Sequence, residues 1–370
     1  MKIGILKETQ KGEKRVAISP NIAKQLIEKG FEILVEDGAG EASQFKNSDY
    51  EKVGAHIERR GVVFKEADML VKINPFDEED LKLVDKRHIL MSQFFHKSNP
   101  ELMKAIAAKG ATAFSMDAMP RISRAQDMDV LSSQSNLAGY KAVIKGAYEM
   151  TKIFPLMMTA AGTITPSRVL VYGVGVAGLQ AIATAKRLGA VVEATDIRLE
   201  TKEQTESLGA KFITVENEGE DSEDGYAKVA SEDYARRQKE AVNKSLFNAD
   251  LVITTAMVPG RKSPILITEE QVKHMKNGAV IIDLAAAQGG NCELSKMHKP
   301  VIKHGVKIIG TTIAPESVST NASDLYAKNM FNFIMHLTKD NQFKWDFDEE
   351  ITDKTLIVYK GKIRQNGKTA

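Results

Sequence analysis

The stretch that most constrains this chain is Gly173-Val174-Gly175-Val176-Ala177-Gly178, set between RVLVY (168–172) and LQAIATAKRLG (179–189). A G-x-G-x-x-G pattern alone is weak, but between a β-branched run and a helical pattern of small and apolar residues it opens a βαβ unit. Gly173 permits the tight turn, Gly175 lets backbone approach a pyrophosphate, and Gly178 lets helix and strand pack closely. Val176, Ala177 and Gly178 stand at the helix start, where free N–H groups and partial positive charge favour phosphates. Asp196 ends the next apolar run, where a carboxylate accepts hydrogen bonds from an adenosine ribose diol and repels a 2′-phosphate. The spacing predicts NAD(H) over NADP(H). Arg198, two residues on, is the feature that softens that preference.

Strand signals recur after this loop at VVEATD (191–196), KFITV (211–215), DLVITTA (250–256), AVIIDLA (279–285) and VKIIGT (306–311), enough for a complete Rossmann sheet. The first 120 residues alternate in the same way. KIGIL (2–6) reads as a strand, Ser19-Pro20 as a helix start closed by Gly30, and FEILVE (31–36) as the next strand. Asn99-Pro100 opens a further helix that Gly110 closes, before ATAFSMD (111–117). No glycine fingerprint sits in this half, which is either a degenerate nucleotide fold or a substrate domain. Residues 132–155 have helical spacing and lead from one domain to the next. Ser317 to Asp340 is helical again and returns to the first domain. The expected architecture is α/β, with two Rossmann-like doubly wound domains and a nucleotide cleft between them. The first domain is discontinuous, 1–131 with 317–370, and the second spans 132–316.

Composition excludes several classes. Lys and Arg total 51 against 49 Asp and Glu, so no global basic field for nucleic acid exists. Cys292 is the sole cysteine, which rules out an intramolecular disulfide and a paired-cysteine zinc site. The seven histidines show no HExxH spacing, and no metal is expected. No apolar run reaches the roughly 18–20 residues of a bilayer span, and MKIGILKE reads as a strand and not as a leader. The expected compartment is the cytoplasm, with any tie to a membrane made through a partner.

Two segments carry unusual polarity. Residues 216–224, ENEGEDSED, hold six acidic residues and no basic one, followed by Gly225-Tyr226. Such a run stays solvated; it is either a surface loop or a lid whose tyrosine meets a ligand. PRISRAQDMD (120–129), running into VLSSQSN (130–136), packs arginines, amides, acids and hydroxyls into an expected loop, the composition of a surface or of a site.

RISRAQDMDVLSSQSNLAGYKAV, RVLVYGVGVAGLQAIATAKRLGAVVEATDIR, ITTAMVPGRKSP and VIIDLAAAQGGNCE together resemble the NAD(H)-binding component of proton-translocating NAD(P)+ transhydrogenases, from the first strand to about residue 335. The end of the chain after IRQNGKTA resembles the separately encoded, soluble form. The resemblance implies that Arg121 to Asp129, with Ile122 and Ser123 among them, lies beside the nicotinamide. It implies that Arg121, Asp129 and Ser132 hold the carboxamide and its ribose, and that Gln126 reaches toward NADP(H) on a partner component. Val176, Ala177 and Gly178 match pyrophosphate contacts, and Asp196, Ile197 and Arg198 match adenosine-side contacts. Gly225 and Tyr226 match the tip of a mobile loop; Gln238 and Met257 match further pocket contacts. The resemblance also implies a homodimer, with membrane-spanning subunits coupling hydride transfer to proton movement, and a location against the inner membrane through those subunits. Hydride transfer between two nicotinamides needs no protein acid or base, so Gln126, Asp129 and Arg121 read as positioning residues.

Alanine dehydrogenase is the alternative family, through Arg15 and His96. Against it, its lysine is Asn74 here, in KINP, and its aspartate before QGG is Ala287. A third reading is a non-catalytic NAD(H)-binding redox module, against which the polar loop argues.

Overall fold

The computed structural model describes residues 1–215, 232–257, 261–311, 315–365 and 368–369. The chain forms two compact units, Met1–Gln134 with Pro315–Ala370, and Ser135–Ala314.

In the first unit six parallel strands form, β1 (Lys2–Ile5), β2 (Glu32–Glu36), β3 (His56–Glu58), β4 (Met69–Val71), β5 (Ile89–Ser92) and β6 (Thr112–Ser115). Their order is β3-β2-β1-β4-β5-β6, with Ile3 opposite both Ile33 and Met69. Leu356–Tyr359 then adds antiparallel to β6, followed by Lys362–Gln365 and Lys368–Thr369. These C-terminal strands are a finding beyond the sequence reading. Alternate strand residues face opposite sides. Ile3, Ile5, Ile33, Val35 and Met69 join one core with Met330 and Phe333 of helix Ser319–Leu337, while Leu34, Leu70 and Leu90 join another with Phe64.

Helices start where Ser19 and Asn99 suggest, at Pro20 and Pro100, but neither side chain caps. Ser19 is fully buried and its hydroxyl has no partner; Asn99 donates its amide to the Phe94 carbonyl at 2.9 Å. The proline at the first helical position, with φ already set, marks the start by itself.

Helix Val130–Glu149 begins in the first unit and continues in the second. A hairpin follows, β7 (Met157–Thr159) and β8 (Gly162–Ile164), unread in the sequence. The second sheet holds β9 (Arg168–Tyr172), β10 (Val191–Thr195), β11 (Lys211–Phe212), β12 (Leu251–Thr254), β13 (Val280–Asp283), β14 (Val301–Lys303) and β15 (Val306–Gly310). Its order is β11-β10-β9-β12-β13-β15-β14, parallel except for β14. Among the described residues no helix is long and apolar enough to cross a membrane.

Candidate functional site

The glycine loop occupies the C-terminal end of β9, in the middle of the second sheet. In an open α/β sheet, ligands gather outside that end, where strand order reverses. The three glycines differ in what the surrounding protein demands of them. Gly173 has φ +88°, and a Cβ there would stand 2.7 Å from Thr255 Oγ1. A Cβ on Gly178 would collide with the Gly173 carbonyl. Gly175 has φ −86° and open space where a Cβ would point, so no protein contact demands glycine there. Helix Val176–Arg187 begins at Gly175 with no side-chain cap. Its first N–H groups have no side-chain cap, which fits a phosphate.

Asp196 follows β10. Its Oδ2 accepts the Val174 N–H at 2.7 Å, and its Oδ1 accepts the Arg198 backbone N–H at 2.9 Å and Nε–H at 3.0 Å. Burial works against the carboxylate, but the Arg198 bonds and the two backbone donors hold its pKa below the ordinary value. Asp196 thus ties its loop to the glycine turn while carrying negative charge beside it. Val176, Ile197 and Met257 follow the adjacent strands β9, β10 and β12 and leave apolar side chains exposed, Ile197 at 98%.

Gln238 is spent on backbone. Its Oε1 accepts the Val215 N–H at 3.1 Å and its Nε2 donates to the Ile213 carbonyl at 2.8 Å, closing the end of β11. The acidic run 216–224, Gly225 and Tyr226 lie outside the described residues.

The polar loop belongs to the first unit. Ser123–Met128 forms a 3-10 turn whose Ala125 and Met128 are buried. These two apolar side chains fix the turn in the core, while Arg121, Ser123 and Gln126 are exposed and Ile122 is half-buried. Asp129 Oδ1 accepts the Ser132 N–H at 3.0 Å and its Oδ2 the Ser132 hydroxyl at 2.6 Å, so the pair starts the long helix.

Thr255, Asp283 and Asn291 hold the second unit's loops and were not singled out in the sequence. Thr255 Oγ1 donates to the Gly173 carbonyl at 2.9 Å. Asn291 donates to the Ala256 and Pro264 carbonyls, both at 2.8 Å, and accepts the Ala256 N–H at 3.0 Å. Buried Asp283 accepts from Thr254, Ala285, Asn291, Cys292 and Ser295. The signal was Asn291 directly after QGG, next to the residues read only for a missing aspartate. Burial pushes the Cys292 thiol up to about 11, so it is no nucleophile at neutral pH.

Of the positions that bear on the alanine dehydrogenase alternative, Arg15 and Asn74 are otherwise engaged. Arg15 donates Nε–H and Nη2–H to Glu13 at 2.8 and 2.6 Å, and Nη1–H to Gln134 at 2.9 Å. Asn74 donates to Glu8 at 3.0 Å and Glu13 at 2.9 Å. Burial lowers the pKa of His96, favouring its neutral form.

Comparison with known proteins places these features. Residues 4–138 match the model of the alanine dehydrogenase/PNT N-terminal domain and residues 142–366 that of the C-terminal domain. The chain is 50% identical to the first part of the NAD(P) transhydrogenase alpha subunit of Rhodospirillum rubrum, over 98% of this chain and 97% of that one. A solved transhydrogenase structure from Sinorhizobium meliloti superposes with a TM-score of 0.90 at 41% identity, covering 98% of this chain and 100% of that one. Alanine dehydrogenase 1 of Staphylococcus aureus is 28% identical over 99% of this chain and 95% of its own. The chain belongs to the alanine dehydrogenase/PNT family and within it resembles the transhydrogenase alpha subunits.

Proposed function

We propose that the chain is the NAD(H)-binding component of a proton-translocating transhydrogenase, passing hydride between its own nucleotide and NADP(H) held by a partner component. The observation that carries this reading is the glycine loop, where Gly175 faces open space over an uncapped helix start and Asp196 stands beside it with depressed pKa. The N–H groups of Val176, Ala177 and Gly178 would hold the pyrophosphate; Asp196 would take the adenosine ribose, flanked by Ile197, Arg198 and Met257. Bound there, the reduced nucleotide would supply a hydride from its C4, with the C–H electron pair, to C4 of the second, oxidised ring. Arg121, Gln126, Asp129 and Ser132 would orient the ring, and none has to move a proton.

The engagement of Arg15 by Glu13 supports this reading over the keto-acid one. Its guanidinium is neutralised inside the unit by Glu13, and Asn74, which bridges Glu13 and Glu8, brings no positive charge for a keto acid. For partners, the reading adds a homodimer and membrane-spanning subunits that couple the transfer to proton movement, which places the chain on the cytoplasmic side of the inner membrane. The hairpin β7–β8 supports a self-association surface, since Met158 on it is 76% exposed and Leu156 just before it 59%.

The test mixes the purified chain with an NADP(H)-binding component and follows a single turnover. Hydride should pass between the nucleotides, and pyruvate with ammonia should be turned over negligibly. Keto-acid turnover at an ordinary enzymatic rate, roughly 1–1000 per second, would replace the reading with alanine dehydrogenase.

A further inference from the structure

The polar loop is framed by a helix that arrives almost 200 residues later in the chain. A row of hydrogen-bonding side chains three residues apart winds along helix Ser319–Leu337 and reaches N-terminal loops. Thr320 bonds the Ser43 carbonyl, Ser323 accepts the Val16 N–H, and Tyr326 donates to the Lys72 carbonyl. Asn329 continues this row onto the polar loop itself. Its Nδ2 donates to the Asp127 carbonyl at 2.7 Å, and its Oδ1 accepts the Ser133 hydroxyl at 2.7 Å. Asn329 is 7% exposed, so its amide is shielded from water, while Asp127 is exposed and Ser133 half-buried.

The two partners of Asn329 flank Asp129 and Ser132. Asp127 precedes the start of the long helix and Ser133 lies in its first turn, so one amide spans the junction. A second donor, Asn332 Nδ2, reaches the same Asp127 carbonyl at 3.1 Å. A third tether, Arg124 Nη2 to Glu349 Oε1 at 2.9 Å, fastens the other side of the turn, but the Arg124 side chain is over half exposed. Asn329 is therefore the buried clamp, and the other two are peripheral.

We propose that Asn329, acting through the Asp127 carbonyl and the Ser133 hydroxyl, is a positioning residue that sets the orientation of the Arg121–Asp129 loop for hydride transfer. The assignment rests on the transhydrogenase reading above. It requires no contact between Asn329 and a nucleotide. A loop set wrongly by about 1 Å leaves binding groups present but misaligns the approach of donor and acceptor carbons, a displacement that costs up to about a hundredfold in rate.

The test uses the full chain with the NADP(H)-binding component, comparing wild type, Asn329→Ala, Asn329→Leu, Ser133→Ala and the Asn329→Ala/Ser133→Ala double variant. The single hydride step is followed by stopped flow, NADH affinity by equilibrium titration, and folding by thermal melting. We expect Asn329→Ala to slow the hydride step about tenfold to a hundredfold, with NADH affinity changed less than about twofold. Asn329→Leu, which restores bulk without either bond, should be equally slow. Ser133→Ala keeps the asparagine and should slow the step less, and the double variant should be slower than Asn329→Ala by less than the factor that Ser133→Ala costs in wild type. An unchanged step in Asn329→Ala overturns the assignment. So does recovery in Asn329→Leu, or a fall in NADH affinity and melting temperature that matches the loss of rate, because each marks ordinary packing. Should Asn329→Ala not fold, Ser133→Ala decides alone, and a wild-type rate there overturns the proposal. If wild type passes no hydride at all, the transhydrogenase reading itself has failed and this assignment goes with it.

Discussion

The first unit winds its parallel strands β3-β2-β1-β4-β5-β6, and the second winds β11-β10-β9-β12-β13-β15 in the equivalent order. The loops that leave their first strands are nevertheless opposite in chemistry. After β9 the chain turns through glycines into a helix, leaving open space and uncapped N–H groups beside one half-covered carboxylate. After β1 it enters a web of side chains. Glu8 accepts the Ile73 N–H at 2.6 Å and the Asn74 amide at 3.0 Å, Asn74 also reaches Glu13, and Glu13 pairs with Arg15. Burial raises the pKa of Glu8. Burial also opposes ionisation of Glu13, but the Arg15 bonds prevail and lower its pKa. One loop holds its donors ready for something else; the other satisfies them internally. Topology offers the same crevice twice, and the side chains after the first strand decide whether a ligand enters it.

The contrast between the two loops breaks most sharply at Gly175. A Cβ on Gly175 meets no protein atom and its φ of −86° suits any residue, so Gly175→Val should fold unchanged, whereas NADH affinity should fall more than about a hundredfold as bulk blocks the phosphate approach. Titration and thermal melting on one sample separate the two. If affinity survives, the glycine is incidental and the loop is not the nucleotide site. Next in size is Gln126→Asn in the polar loop. Its side chain is exposed, and shortening it by one methylene should slow the single hydride step by about a hundredfold while NADH binding barely moves. Weakened binding with an unchanged step would make Gln126 a simple cofactor ligand.

A smaller effect is expected at Asp196, whose charge should make NADH bind at least about tenfold more tightly than NADPH. Asp196→Ala releases Arg198, now bound to it, and should close most of that gap. Equal affinities in wild type would contradict the assigned role. The smallest effect concerns acid stability. Burial opposes the Glu349 carboxylate, but the Thr352 N–H, His336 and the Ile351 N–H bring its pKa down to about 2, from 4.5. A carboxyl depressed on folding adds stability that is complete above the unfolded value and is lost as pH falls through the folded one. Between pH 5 and 3.5 the first unit should lose about 1 kcal/mol that Glu349→Gln does not lose. Trp345, stacked on Phe343 and Phe114, reports that unfolding by fluorescence. Parallel pH curves for wild type and variant would refute the attribution.

What could be read in the sequence was local. Gly173, Gly175, Gly178 and Asp196 sit within two adjacent elements, so spacing alone conveys their geometry. Strands rich in β-branched residues, such as VVEAT and LVIT, were equally plain. The short edge strand β14 and the hairpin β7–β8 were not, because VIK is too brief for a periodic signal and MMTAAGTIT shows no apolar–polar alternation. Cap positions at Ser19 and Asn99 were placed correctly, but tertiary burial redirected both side chains. The web around Arg15 joins residues about 60 to 120 positions apart, as Asn74 with Glu13 and Arg15 with Gln134. Asn329 and Asp127 are separated by 202. No periodicity encodes such pairings; only the sheet order brings them together.

The claim that the glycine loop after β9, and not the loop after β1, holds the pyrophosphate is tested most directly by calorimetric titration of NADH into the full chain, with wild type and Gly175→Val run side by side. One NADH per chain is expected in wild type, and no measurable binding in the variant at the same concentration. Two sites per chain, or a site that survives intact in Gly175→Val, would show that another loop holds the nucleotide and would contradict that claim.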